Sequence, residues 1–521
     1  MSHPTGSDVL SQAAAKYPDQ TAIRDPDRDV TRSFDEIDEG ARRVAVGLRE
    51  IGFEPGDHLT AILTDSVEFL ELMFACAHAG LVFNPISSRM APERLAYVLD
   101  HAESAGLVFD THCQGTVAEV AAEDRPSTLI GVRTDDSLAD HAYSSLGQES
   151  APEALESGRE YHVEIDESDP ALLLYTSGTT GQPKGVLHTH RNVVEATYAS
   201  LPYNRFRPTD VNLALGPMYH VGPLLCNILP GLSMGATTVV QQEFDSETTL
   251  EWIESEGITA MWGVPTHYRA LVDDESISDR DISHLRMLQY SGAAMPESVA
   301  RRCREHVPGC EFVNAYGTTE IVFGTVLFPE FHDDKLGSIG RAVPKAEVRV
   351  VDPETADPAE TLPANEVGEL LVKTPSCMRE YWRNPEATAD AIVDGWYRTG
   401  DLGRRDEDGF LYFVDRKDDM IVSGGENIYP AEVEDVLHDH PDVTAGAVVG
   451  VPDEEWGAVV TAFVVPGDDS LTAGELESHF QNSDAIESYK RPRRYEFRDD
   501  LPMTQSDKID RQALLESVAG E

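Results

Sequence analysis

The sequence predicts an α/β fold in two parts: a large domain of doubly wound sheet ending in a β-rich stretch, then a small α+β domain. Three observations predict it. Between residues 58 and 109, strand-like apolar runs alternate with helix-patterned runs at the spacing of βαβ units. The apolar run 172–175 breaks into hydroxyls and glycines, as a strand does when it feeds a ligand loop. A charged interruption at 413–421 separates two β-patterned regions, and 521 residues exceed what one core holds.

The elements follow in order. Residues 7–16 and 34–51 have helical apolar spacing, with Ile37, Val44, Leu48 and Ile51 on one face and Gly52 as the stop. A strand at 58–63 leads to a helix at 66–79, with Ser66 as its N-cap. Then come a strand at 81–85, a helix at 91–104 and a strand at 106–109. Residues 132–168 are acidic and weakly periodic, a surface excursion before the core resumes. Strands are expected at 211–215, 259–264, 287–290 and 311–316, and shorter ones at 346–351 and 367–373. The small domain opens with a helix at 431–440. It continues with strands at 446–450 and 459–465 and helices at 471–481 and near the end.

The charge balance is extreme, with 93 acidic residues against 41 basic ones and a net charge of −52. Only eight of the 41 are lysines. The acids are dispersed, not blocked, which is the pattern of a protein that works in a salt-accumulating cytoplasm. Molar salt shortens the Debye length to ~3 Å and screens the self-repulsion. With no basic face, nucleic-acid binding is excluded. No apolar run of 18 residues implies a membrane span, and the N-terminus lacks a secretory pattern. The six cysteines are scattered without metal-ligand spacing, as expected of reduced thiols in a cytoplasm.

The run 172–186 carries the strongest chemistry. Thr176, Ser177, Thr179 and Thr180 supply hydroxyls, while Gly178, Gly181 and Gly185 let backbone N–H groups approach an anion. Lys184 adds a charge for phosphate oxygens. The order differs from a Walker P-loop, since Pro183 precedes the lysine and Gly185 follows it. His188 and His190 invite a metal reading, but no third ligand is near and none is expected. His220, Val221 and Gly222 lie on a loop after a strand. Val264 follows another, and Tyr290, Ser291, Gly292, Ala293 and Ala294 end a third. In the run Asn314, Ala315, Tyr316, Gly317, Thr318, Thr319, Glu320, the tyrosine can stack on a purine and the threonines can donate to phosphate. Glu320 can hold a hard cation. Asp401 can accept from both ribose hydroxyls.

In this order the segments resemble those of the adenylate-forming superfamily, which includes acyl-CoA synthetases, luciferases and peptide-synthetase adenylation domains. The resemblance runs from Thr176 to Lys508, essentially the whole chain. It implies a large domain of mixed sheets over 1–417 and a small mobile domain over 418–521, hinged at Asp418. It further implies catalytic roles for Lys508, Thr176 and Glu320, with Mg2+ on Glu320. ATP would be bound by residues 176–181, Lys184, residues 292–294 and 314–319, Asp401, Arg416 and Lys508. The acyl group would lie against His220, Val221, Gly222, Val264, Tyr290, Ser291 and Gly292. A thiol would enter past Ser423, Gly424 and Gly425. In the superfamily a glycine usually precedes the catalytic lysine; here it is Asp507.

The resemblance implies two half-reactions. A carboxylic acid attacks the α-phosphate of ATP, giving acyl-adenylate and pyrophosphate, and a thiol then takes the acyl group and releases AMP. Coenzyme A is the expected thiol, and a carrier-protein thiol is the alternative. The pocket segments hold no lysine, which favours an apolar monocarboxylate, a medium- or long-chain fatty acid ahead of an aromatic acid. A non-catalytic nucleotide-binding relative is the reading from another class. The oligomeric state is open, a homodimer included.

Overall fold

The computed structural model describes residues 4–134, 137–148, 163–176, 182–293, 295–453, 456–468, 470–483, 485–503 and 509–518. The chain divides into two compact units. The first comprises the chain up to Thr176, Pro183–Val348 and Val372–Tyr397; the second comprises Arg349–Leu371 and the chain from Arg398 onward. Lys417 and Asp418 therefore lie inside the second unit.

Two large sheets form the first unit. One has nine strands, and five consecutive ones (Thr237–Val239, Val211–Ala214, Ala260–Gly263, Met287–Tyr290, Glu311–Tyr316) run parallel. The other has eight, with the parallel set Pro170–Thr176, Val82–Ile86, His58–Ile62, Ser104–Asp110 and Thr128–Val132. Both are mixed, with antiparallel strands at both edges of the first and at one edge of the second. The expected doubly wound arrangement is present, with helices ending strand-to-strand crossovers.

Local chemistry explains the helices. Ser33 caps Phe34–Glu50 in a capping box with Glu36, and Ser66 accepts from Phe69 N at the start of Val67–Ala79. Ten of the thirteen residues in Val67–Ala79 are buried, so this helix runs through the core. Each buried Leu or Phe there contributes roughly 1.5–3 kcal/mol.

One feature departs from expectation. The pattern of 172–186 predicts a strand feeding a loop, with Lys184 on the loop. Instead Pro170–Thr176 and Lys184–Thr189 form an antiparallel hairpin, and Lys184 pairs directly opposite Thr176. The lysine therefore sits on a strand, and residues 177–181 lie outside the described residues.

In a five-stranded sheet, Val367–Lys373 lies between Glu347–Val351 and Trp396–Arg405 in the strand order, and Leu411–Arg416 pairs with Trp396–Arg405. Beyond them, Val443–Asp453, Gly457–Pro466 and Arg494–Phe497 form a three-stranded sheet. Its two cores centre on Val448, Val460, Leu437 and Phe480, and on Phe463, Leu501 and Leu514.

Candidate active site

In the first unit the site is built at the ends of neighbouring strands. Glu311–Tyr316 delivers Tyr316, after which the chain folds back on itself. Val322 N donates to Thr318 O at 2.8 Å, and Gly324 N donates to Tyr316 O at 2.9 Å. This tight return demands glycine at 317, where a Cβ would stand 2.1 Å from the Val322 carbonyl oxygen. It also forces Val322 to φ +59°, a rare conformation for a β-branched residue. Such strain costs on the order of 1–3 kcal/mol and persists only where surrounding structure over-determines it.

The return loop is braced from beneath. The buried His188 ring donates through Nε2 to the Thr319 carbonyl at 2.8 Å. Burial pushes its pKa down to about 4, so the ring is neutral. His190 accepts from Gly6 N at 3.1 Å through Nδ1, and burial likewise lowers it to about 4. The two histidines thus serve different neighbours.

Glu320 is 9% exposed, and Tyr381 donates its hydroxyl to Glu320 Oε1 at 2.7 Å. The Tyr397 hydroxyl lies 3.3 Å from that of Tyr381. Tyr381 belongs to a two-residue strand, Glu380–Tyr381, paired antiparallel with the strand that starts at Lys184. Lys184 Nζ sits 5.0 Å from the centroid of the Tyr381 ring. Lys184 and Glu320, 136 residues apart in sequence, therefore meet on one side chain. Tyr316 packs against the apolar cluster of Val186, Ile321, Tyr381 and Tyr397. Asn314 is buried and donates to the Ser338 carbonyl at 2.9 Å, so its amide is engaged by backbone.

The expected acyl residues also fall at strand ends in this unit. Gly292 has φ +83°, and its missing Cβ would lie 3.5 Å from Val264. Tyr290 is buried and contacts His332 Nε2 through its hydroxyl at 3.1 Å. Burial pushes the His332 pKa down to about 4. The Trp262 indole edge fills the room at Gly216 and Gly222; a Cβ at either would stand 2.7 Å from it. The His220 turn is fixed by Asp65, whose two carboxylate oxygens accept from Met218 N at 3.0 and 3.1 Å. Burial raises the Asp65 pKa to about 7. Val221 precedes a π-helix, Gly222–Ile228, a rare form concentrated at functional sites.

In the second unit, Asp401 and Arg416 face each other across paired strands, with Arg416 Nη1 2.8 Å from Asp401 Oδ1. Asp401 N donates to Thr399 Oγ1, whose proton goes to Leu370 O. Gly424 and Gly425, both at positive φ (61° and 86°), form the two-residue turn between Ile421–Ser423 and Glu426–Ile428. Arg398 grips the buried Glu369 with two nitrogens at 2.9 and 3.2 Å, and Lys417 Nζ lies 3.6 Å from the same carboxylate. Ser177, Gly178, Thr179, Thr180, Gly181, Ala294, Asp507 and Lys508 lie outside the described residues.

A model of the AMP-binding enzyme family matches residues 10–382, and one of the AMP-binding enzyme C-terminal domain matches residues 432–508. The chain belongs to the AMP-binding enzyme family. This enzyme is 36% identical to a feruloyl-CoA synthase from an Amycolatopsis species, over 95% of both chains. It is 32% identical to a long-chain-fatty-acid–CoA ligase from Mycobacterium tuberculosis, over 98% of both. Among solved structures, o-succinylbenzoate CoA synthetase from Bacillus subtilis, captured with its acyl-adenylate, gives a TM-score of 0.83. That match has 28% identity and covers 97% of each chain. The enzyme is thus an AMP-forming acid–thiol ligase of the acyl- and aryl-CoA ligase type, on the adenylate-forming fold.

Sequence reading of this enzyme missed Tyr381 and Asp65. Neither lies in a spacing that signals chemistry, and each acts on residues far away in the chain. The spacing of His188 and His190 suggests only a metal pair, whereas the contact of His188 with Thr319 spans 131 positions.

Proposed function

We propose that this enzyme activates an apolar monocarboxylic acid with ATP as an acyl-adenylate and transfers the acyl group to coenzyme A. The observation that carries the reading is the meeting of Lys184 and Glu320 on Tyr381. It brings one cation and one anion together on a single buried side chain. An acid and a triphosphate repel each other, so the reaction needs charge compensation and positioning, with no protein nucleophile.

The donor chemistry fits Mg2+. Glu320 offers oxygen, and its partner is a neutral hydroxyl, so the carboxylate keeps its full charge for a hard cation. When bound, the ion would neutralise phosphate charge. The chain's own residues do the rest. Lys184 and the hydroxyls of 176–180 hold phosphate oxygens, Tyr316 faces the purine, and Asp401 and Arg416 take the ribose. Lys508 bridges the acid's carboxylate and the α-phosphate. Thr176 serves as a further phosphate donor.

For the second step, the domain 418–521 swings about Asp418, withdrawing Lys508 and admitting the thiol past Ser423, Gly424 and Gly425. Lys417, tied to Glu369 and to the Pro353 carbonyl at 2.6 Å, supports a boundary just after it. The preferred acid is a medium- or long-chain fatty acid. An aryl acid is the second reading, favoured by the Trp262 indole that walls Gly222 and by the feruloyl-CoA synthase relative.

Acid-dependent ATP–pyrophosphate exchange in molar KCl, across fatty and aromatic acids, tests this. Exchange with one acid class, then AMP and thioester when coenzyme A is added, is the expected result. Exchange without thioester would shift the acceptor to a carrier-protein thiol. Absence of exchange in a folded, ATP-binding protein would sink the proposal, and Asp507→Gly would then ask whether the aspartate before Lys508 silences it.

A further inference from the structure

Tyr381 touches both charged groups of the site in the first unit, Glu320 and Lys184. The hydroxyl lies 2.7 Å from Glu320 Oε1 and 3.3 Å from the Tyr397 hydroxyl. An ionised carboxylate can only accept, so Tyr381 donates to Glu320, and the longer contact runs from Tyr397 as donor. The two tyrosines form a directed relay of hydrogen bonds that ends on the carboxylate. Both are nearly fully buried, at 5% and 4% exposure, so water does not compete for these bonds.

The same ring carries Lys184. Its ammonium lies 5.0 Å from the ring centroid, within reach of the negative face of the π-system. The backbone locks this arrangement. Trp382 N donates to Gly185 O at 2.7 Å and Arg379 N to Leu187 O at 2.8 Å, so the tyrosine is stitched to the strand that bears the lysine. Met378 N donates to the Glu320 carbonyl at 2.6 Å, stitching the same short segment to the carboxylate's own backbone. The segment Met378–Trp382 is therefore a second tie, beside the His188–Thr319 contact, between the strand that bears Lys184 and the loop that bears Glu320.

We infer that Tyr381 is a positioning residue for adenylation: its hydroxyl aims the Glu320 carboxylate at the cation, and its ring seats the Lys184 ammonium for the phosphates. This rests on the proposed role of Glu320 as the Mg2+ ligand. Outer-shell partners of this kind tune a metal ligand without touching the metal, and their loss costs about 10- to 100-fold in affinity or activity.

The test uses the full chain in molar KCl, with two readouts: pyrophosphate exchange, and equilibrium binding of a non-hydrolysable ATP analogue over a Mg2+ titration. Tyr381→Phe keeps the ring and loses the hydroxyl. The Mg2+ concentration for half-maximal binding and exchange should rise about tenfold, with the KM for the acid unchanged. Tyr381→Leu also removes the ring and should weaken analogue binding even without Mg2+. Tyr397→Phe should shift the Mg2+ midpoint in the same direction by less, and it carries the test if the Tyr381 variants fail to fold. Wild-type Mg2+ midpoints in both Tyr381→Phe and Tyr397→Phe overturn the inference. Glu320→Gln separates the two levels. If it moves the Mg2+ midpoint and Tyr381→Phe does not, the tyrosine's role alone fails; if neither moves it, the role of Glu320 fails as well.

Discussion

Glu320, on the loop after Glu311–Tyr316, and Asp401, within the strand Trp396–Arg405, are both buried carboxylates, and they are held by different chemistry. Glu320 accepts a hydrogen bond from a neutral tyrosine and lies on a loop braced by backbone and by a neutral histidine. Asp401 takes a guanidinium from the facing strand, in a unit where Glu369 is likewise gripped by Arg398. A carboxylate held by a neutral donor keeps its charge for an incoming cation. One held by a guanidinium is compensated already and has lone pairs left for hydroxyls. The contrast matches the proposed division of labour, metal on one side and ribose on the other.

The sharpest way to break that contrast is Glu320→Gln. Pyrophosphate exchange should fall by about 10²–10³-fold, the scale of losing a principal electrostatic contact at a reacting phosphate. Asp401→Ala should weaken ATP binding by roughly tenfold to a hundredfold, the worth of hydrogen bonds to a charged group, and leave the Mg2+ midpoint where it was. Equilibrium titration distinguishes the two patterns; a Mg2+ shift in Asp401→Ala would dissolve the comparison.

Gly317→Ala probes the strained loop on the Glu320 side. The added Cβ meets the Val322 carbonyl at 2.1 Å, and backbone must move. Exchange should drop and thermal stability should fall by roughly 1–3 kcal/mol. Gly222→Ala meets a side chain instead, Trp262 at 2.7 Å. Overpacking there costs about 1–3 kcal/mol at most, and the acid profile should narrow against bulky acids.

The smallest effect is a pH dependence. His188 has a folded pKa of about 4, below its ordinary 6.5. In the window between those values the unfolded chain binds more protons, so this contribution is full above pH 6.5 and is lost as pH falls toward 4. His190, His267 and His332 add to it with the same sign. Asp65, raised to about 7, opposes it over the same range. Thermal midpoints measured from pH 7 to 4 should decline, and His188→Gln, which can still donate to Thr319, should flatten the slope.

Much was written in the chain itself. Strand–helix alternation, the Ser66 cap, the run from Asn314 to Glu320 and the break near 413–421 are local patterns, set by side-chain periodicity and by where glycine or hydroxyls are needed. These were enough to read the two-part α/β fold and the adenylate-forming signature. The lysine's seat was not, because Lys184 reads as loop until its strand finds Pro170–Thr176. Tertiary structure alone decided that Tyr381 joins Lys184 to Glu320, that His188 braces Thr319, and that Asp65 holds the His220 turn. Each is a contact between residues 61 to 197 positions apart. The physical reason is that periodicity encodes which face of an element is buried. The partner a polar group finds depends on which distant strand ends the sheet order brings alongside it.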